Sequence, residues 1–338
     1  MSSIDPEPIA PRLKPRRRRF RRIAVAIVSL LVVSTIAINV TAYMQARAMT
    51  HFVAAGSRTE PPESLAYFHK LKVLLTGVQI PRPENHSTPA DAGLAFQTVR
   101  FGGAGNDDCE AWVVPARQSK GLIIAFHAYT ACKSTLLPSA TVFHDLGYDV
   151  LMVDFRGSGG SRGDGTTIGY READDVLAAI QFAARRWPNC TPALYGQSMG
   201  GAAILRAIAV LGAHPAGIII ESTYDRLLST VEDRFGAMGL PAFPLARLLV
   251  FWGGVQGGFD AFALNPAEYA QKVACPALVF QGGADPRVTD AQAYNLFEHL
   301  AGPKRYERFA SAGHCGFLSS DPGRWTNDVK AFLESLRF

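Results

Sequence analysis

Cysteine is scarce and unpaired in this chain. Cys109, Cys132, Cys190, Cys275 and Cys315 form no C-x-x-C and no zinc-finger spacing. Outside the cytoplasm a disulfide is open to them, but an odd number leaves at least one thiol free. Scattered single cysteines are ordinarily small buried hydrophobes, so no chemistry is assigned to them. No cluster of His, Asp and Glu has metal-ligand spacing, and no glycine-rich stretch fits a phosphate-binding template, so neither metal nor cofactor is expected. There is no internal repeat. A basic excess is also missing from most of the chain: from Met49 onward there are 25 basic and 27 acidic residues. That balance gives no nucleic-acid footprint. With 48% apolar residues over 338 positions, the chain is long and apolar enough for a sizeable core and is not globally disordered.

The net charge of +5 therefore comes from the start of the chain. Residues 1–22 hold eight Lys/Arg against Asp5 and Glu7. Behind them, residues 23–43 carry no charge at all and would span about 32 Å as a helix, near the thickness of a bilayer core. A buried core helix would show a polar face here, and none appears. The positive-inside rule places residues 1–22 in the cytoplasm and the body across the cell (inner) membrane, with residues 23–43 as a single-pass anchor. A cleavable signal is the alternative, because Ala46-Arg47-Ala48 has small-x-small form and would release the body beyond the membrane. The apolar stretch is long for a signal, which favours the retained anchor.

Residues 44–95 read as a connector. Pro61-Pro62 breaks it, and residues 63–78 place Leu65, Phe68, Leu71, Leu74 and Leu75 on one helical side, for the membrane surface or for the body. From residue 96 to 338 the pattern is that of an α/β domain. Phe96–Phe101 and Cys109–Val114, joined by a Gly/Asn/Asp turn, predict an edge hairpin. Gly121–Phe126 and Asp149–Phe155 are apolar throughout, as strands buried on both faces are. Helices are expected over 133–147, despite Pro138, and over Tyr170–Trp187, which Pro188 stops. Further strands are expected at 193–196, 217–220, 276–280 and 306–309, and a terminal helix over 321–336. Alternating strands and helices imply a mostly parallel central sheet flanked by helices, with sites beyond the carboxyl ends of the strands. Residues 224–266 break the alternation. They are rich in Phe, Leu and Trp, and suit either a helical cap over a site or ordinary helices packed on the sheet.

The stretch that organises the rest is Gly196-Gln197-Ser198-Met199-Gly200, a G-x-S-x-G between a strand and a helix. A serine hydroxyl becomes a nucleophile only when lifted off the backbone beside a base, with donors ready for the developing oxyanion. Asp285 follows the strand ending at Phe280-Gln281, and His314 follows the last strand. The order Ser198, Asp285, His314 matches that of a nucleophile, an orienting acid and a base on such a sheet. Glu221 also ends a strand and competes with Asp285 for the acid. His144 and His214 lie in or beside helices as packing or surface residues. Cys315 is not on a nucleophile turn.

Over residues 87–336 the chain resembles α/β-hydrolases of the serine-aminopeptidase-like or prolyl-oligopeptidase-like kind. The motifs are His127-Ala128-Tyr129, Asp154 to Ser161, the G-x-S-x-G turn, Cys275 to Gly282 with Asp285, and Ala312-Gly313-His314. The resemblance implies an α/β-hydrolase fold, a Ser198–Asp285–His314 triad and an oxyanion hole from the backbone N–H groups of Met199 and Tyr129. It implies no cofactor, and a small-molecule acyl substrate. Ala128 stands where the family usually has glycine, which would strain a turn of positive φ and cost nothing otherwise. His127, Asp154 and Arg156 are expected to be structural. The expected activity is cleavage of an ester, thioester or amide through an acyl-enzyme. A peptidase is the second reading, and a non-catalytic binding module the third.

Overall fold

In the computed structural model of the chain, residues 16–54, 56–60, 66, 68–69, 72–73, 77–102 and 108–338 are described. Residues 1–15, most of the helix expected over 63–78, and residues 103–107 of the hairpin turn lie outside them.

Eight strands form one sheet: β1 (Gln97–Gly102), β2 (Asp108–Val114), β3 (Leu122–Phe126), β4 (Asp149–Val153), β5 (Ala193–Gln197), β6 (Gly217–Glu221), β7 (Ala277–Gly282) and β8 (Lys304–Phe309). Their spatial order is β1-β2-β4-β3-β5-β6-β7-β8. β1 pairs antiparallel with β2, and β2 antiparallel with β4; the remaining pairs are parallel. The edge hairpin is thus present, with its ladder running from Gln97↔Val113 to Gly102↔Asp108.

Alternation within each buried strand feeds two cores. Leu122, Ile124 and Phe126 of β3 pack toward α3 (Glu172–Arg186) and α4 (Met199–Leu211). Ile123 and Ala125 pack toward α2 (Leu137–Asp145) and, far along the chain, Trp325, Val329 and Leu333. Both faces are covered, so the strands read as unbroken apolar runs. The helix expected over 133–147 opens instead as a 3-10 turn at Lys133–Leu136, and Pro138 sits in the first turn of α2, where its missing N–H costs nothing.

Three further features position the site. α1 (Arg16–Thr50) continues past Tyr43, so the first residues of the 44–95 stretch are helical. Its apolar side chains from Ile23 to Val40 are largely exposed, whereas Ala42 and Ala46 are buried. The 224–266 stretch forms α5 (Leu227–Ala237) and α6 (Leu245–Gly257), followed by a short α7 (Pro266–Ala270). After α8 (Asp290–His299), the chain ends in a one-turn α9 (Phe317–Ser320) and α10 (Pro322–Glu334), the latter started by Asp321, whose carboxylate accepts from the Arg324 N–H at 3.0 Å.

Candidate active site

β5 runs straight into α4 through Gly196–Gly200, and Ser198 takes φ 50°, ψ −109° between them. A non-glycine residue rarely adopts such a conformation, and here the surroundings enforce it. The Ser198 N–H donates to the Glu221 carbonyl at 2.7 Å, tying the turn to the neighbouring strand. A Cβ on Gly200 would stand 2.5 Å from the Phe126 carbonyl oxygen, and one on Gly196 2.7 Å from the Gly200 carbonyl carbon. Only glycines let strand, turn and helix approach this closely.

The structure brings Ser198, His314 and Asp285 together. Ser198 Oγ lies 3.0 Å from His314 Nε2, and His314 Nδ1 lies 2.9 Å from Asp285 Oδ2 and 3.1 Å from Oδ1. Asp285 Oδ1 also accepts from the N–H groups of Arg287 (2.8 Å) and Val288 (3.1 Å). Burial by itself would raise this carboxyl. The His314 hydrogen bond, the imidazole charge and the two backbone donors outweigh it and hold the group below its ordinary range. Asp285 is then an ionised acceptor, so Nδ1 must carry the proton, and Nε2 turns its lone pair toward the Ser198 hydroxyl.

Glu221 takes a different position. Its side chain points below the turn, where Oε1 accepts from Trp325 Nε1 at 2.7 Å and Oε2 from Gln197 Nε2 at 3.2 Å. It makes no hydrogen bond to His314. Burial pushes its carboxyl up to about 7, against the smaller opposing pull of its Trp325, Tyr195 and Gln197 partners.

Of the two expected oxyanion donors, Met199 directly follows Ser198, and Tyr129 lines the same cavity as Ser198 and His314. Met199 opens α4, so its N–H has no intrahelical acceptor. Neither it nor the Tyr129 N–H meets a protein acceptor among the described residues. Ala128 is outside the positive-φ region. The left-handed residue of this loop is Thr130 at φ 56°, so alanine is accommodated without strain. His127 is fully buried; its Nδ1 lies 2.8 Å from the Ala128 carbonyl oxygen, and its Nε2 accepts from the Phe155 N–H at 3.0 Å. Both bonds need the neutral Nδ1–H form, and burial lowers the ring's basicity. It shapes the loop and takes no part in the Ser198 chain.

Asp154 accepts from the Lys133 N–H (2.7 Å), Asn85 Nδ2 (2.8 Å) and the Gly160 N–H (2.9 Å), and Arg156 grips Asp175 through Nε at 3.1 Å and Nη2 at 2.6 Å. Sequence reasoning missed Lys133. It is a fully buried cation paired with Asp154 and with Glu110 (2.9 Å), and its Nζ lies 4.4 Å from the centroid of the Trp112 ring. Glu172 was missed too; it accepts from Thr166, Thr167 and Gly169 and fixes the loop before α3. His144 stands at the surface end of α2 beside Asp145, and His214 is exposed. All five cysteines are free thiols, Cys315 among them. Among the described residues no three His, Cys, Asp or Glu side chains converge as metal ligands.

Ser198 and His314 open into a cavity of about 950 Å³. Met49 from the end of α1, Tyr129, Arg58, Arg234 and Arg287 contribute to its wall, with Glu60 and Glu221 as the acidic members. From the 224–266 stretch only α5 reaches it, through Arg234 and Ala237. A smaller cavity of about 270 Å³ lies between the end of α1, the 163–171 loop, α5 and α6, and Met49 lines both.

Residues 117–231 match the family model "Serine aminopeptidase, S33", which includes the Ser198 turn and stops before Asp285 and His314. An uncharacterized Bacillus subtilis protein, YqkD, is 24% identical over 235 residues, 68% of this chain and 76% of that one. Dipeptidyl aminopeptidase BIII of Pseudoxanthomonas mexicana is 30% identical over 196 residues, which cover 54% of this chain and 28% of that enzyme. Among solved structures, the Pyrococcus furiosus esterase Pf2001 superposes with a TM-score of 0.64 at 22% identity, covering 76% of this chain and 97% of that one. The chain has the α/β-hydrolase fold, and residues 117–231 carry a likeness to the serine aminopeptidases.

Proposed function

We propose that this protein is a serine hydrolase that cleaves carboxylic esters through an acyl-enzyme, tethered by α1 with its catalytic domain outside the cytoplasm. The observation that carries the proposal is the unbroken chain Ser198 Oγ–His314 Nε2 (3.0 Å) and His314 Nδ1–Asp285 (2.9 Å), built on a serine held at φ 50°. Ser198 attacks the substrate carbonyl while His314 takes its proton. Asp285 orients the imidazole and stabilises it as it becomes cationic. The Met199 and Tyr129 N–H groups receive the oxyanion, each such donor contributing about 10²–10³ in rate. His314 then returns the proton to the leaving alkoxide. Water, deprotonated by the same imidazole, releases the acyl group.

The cavity wall favours an ester over an aminopeptide. An aminopeptidase must hold a cationic α-amine. Here three arginines, Arg58, Arg234 and Arg287, outnumber Glu60 and Glu221, and Glu221 is already engaged by Trp325 and Gln197. The peptidase reading is supported by the matching family model, whose description is of a peptidase. The tether is supported by the exposed apolar surface of α1 behind an arginine-rich start.

A fluorophosphonate probe should label the wild type and spare Ser198→Ala. Equal labelling of both proteins would remove Ser198 as the nucleophile. A panel of esters, thioesters and aminoacyl amides, run on the same pair, should show Ser198-dependent turnover chiefly of esters. Turnover confined to aminoacyl amides would replace the esterase by the peptidase.

A further inference from the structure

α6 does not roof the Ser198 cavity; it lies along α1. Trp252 Nε1 donates to Asn39 Oδ1 at 3.2 Å, and the Trp252 ring meets Tyr43 edge-on with centroids 5.5 Å apart. One turn later, Gln256 Nε2 donates to the Tyr43 carbonyl at 2.8 Å. These contacts fix the depth of α6. Measured from Ile23 at about 1.5 Å per residue, Asn39 lies about 24 Å and Tyr43 about 30 Å along the helix. The hydrocarbon core is about 30 Å thick. A side chain touching both residues therefore sits at the last turn of the apolar span.

The outward side of α6 suits that depth. Phe251 and Val255 lie four residues apart on one stripe and are 47% and 54% exposed, and Phe243, just before the helix, is 76% exposed. From Phe235 to Leu264 the chain carries only two charges, Arg247 and Asp260. Arg247 lies one turn before Phe251 on the exposed side of the helix. Trp252 and Tyr43 are the side chains that favour the boundary between headgroups and acyl chains. Ile36, Ile38 and Val40 of α1, which flank the Asn39 that Trp252 bonds, are exposed as well.

We propose that the exposed apolar stripe of α6, Phe251 and Val255 with Phe243 before it, is seated in the bilayer leaflet on the catalytic-domain side. This rests on the reading of α1 as a retained membrane span. The seating sets the catalytic domain at a fixed height on the bilayer and puts the α5–α6 segment, with its Arg234 on the cavity wall, against the lipid surface. Membrane-resident esters are the substrate class that this placement serves.

The test adds one tryptophan at a time to a Trp252→Phe background of the full chain, reconstituted into phosphatidylcholine proteoliposomes, and subtracts the emission of that background, which keeps Trp112, Trp187 and Trp325. Phe251→Trp and Val255→Trp report on the stripe. Val210→Trp, at the exposed far end of α4, is the control, and fluorophosphonate labelling checks that each variant is folded. With acyl-brominated phosphatidylcholine, emission from positions 251 and 255 should be blue-shifted and quenched severalfold more strongly than from position 210. If neither is quenched while Trp252 of the unmodified chain is, the span stands and the seating of α6 is overturned. If alkaline carbonate releases the chain and Trp252 is not quenched either, the span itself fails. A blue shift at 251 and 255 without bromolipid quenching, lost on dilution into excess lipid, would mean that a second copy covers the stripe and would also overturn the proposal.

Discussion

Glu221→Gln separates the roles of the two carboxylates that end strands near Ser198. In the wild type, burial raises the Glu221 carboxyl from 4.5 to about 7. The folded state therefore keeps this proton through a range in which the unfolded chain releases it. Below about pH 4.5 both states are protonated and the group contributes its full stability. As pH rises toward 7 the unfolded chain binds fewer protons than the folded one, so stability falls. Above 7 the loss is complete and constant. Its size is about 2.5 pKa units at 1.36 kcal/mol each, or about 3 kcal/mol. Glutamine keeps the shape and the oxygen that accepts from Trp325, and it does not titrate. Urea unfolding of both proteins in the same detergent, from pH 4 to 8.5, should give similar midpoints at pH 4. At pH 8 the variant should be more stable by about 1 M urea, for an m-value of about 3 kcal/mol/M. Other titrating groups, such as Asp285 and Asp175, are common to both proteins and cancel in the difference. Turnover of a soluble ester at pH 7 should stay within a few-fold of wild type, because His314 leans on Asp285. Parallel pH profiles for the two proteins would refute the burial argument. Loss of turnover in Glu221→Gln with retention in Asp285→Ala would move the acid to β6.

Asp285→Asn should lower kcat by about 10⁴ with little change in KM, because an amide facing His314 Nδ1 turns an N–H toward Ser198 in place of the lone pair; an unaltered kcat would show that Asp285 does not orient the base. Tyr129→Phe should lower stability by about 1 kcal/mol and kcat severalfold, since it frees the oxyanion loop from α1 while leaving the Tyr129 N–H in place. Unchanged kcat, with the expected loss of stability, would show that the loop holds its geometry without α1.

Much of the architecture was written in local pattern. Strands buried on both faces must be apolar at every position, so Leu122–Phe126 and Asp149–Val153 were visible as runs. The Ser198 turn was visible because close approach demands glycine at fixed offsets. Asp285 and Glu221 were harder to separate, since each stands at or just after a strand's carboxyl end. They differ in contacts no local pattern carries: Asp285 lies in a turn whose own N–H groups cradle it, while Glu221 faces a tryptophan 104 residues away. Lys133 was illegible for the same reason. A lysine in a polar turn reads as solvated until Asp154 and Glu110 are brought to it by the sheet. Residues 224–266 showed their apolar character but not its direction. Helical periodicity says that a face is covered, and it is equally satisfied by a cavity, a sheet or a neighbouring helix.

The end of α1 connects these observations. The Tyr129 hydroxyl donates to the Met49 carbonyl at 2.5 Å, and burial pushes this phenol up to about 12, so it remains a donor throughout the working range. The Phe52 N–H donates to the Asp164 carbonyl at 2.7 Å, and the Thr166 N–H to the Thr50 carbonyl at 2.8 Å. The helix carrying the apolar span is therefore bonded to the loop that holds Tyr129, the proposed oxyanion donor, and to the loop that Glu172 fixes. The small-x-small site at Ala46-Arg47-Ala48 lies within this same stretch, with Ala46 only 2% exposed and still helical. A processing protease needs an extended, accessible segment, so cutting there would require α1 to unwind and leave the domain first. Processing before folding remains chemically simple. Processing after folding would have to break the Trp252–Asn39 and Gln256–Tyr43 contacts in the preceding turns of the same helix. The contacts that seat α6 against the span and those that hold Tyr129 thus act together. They make α1 part of the domain's packing, with its last turn forming a wall of the cavity that holds Ser198.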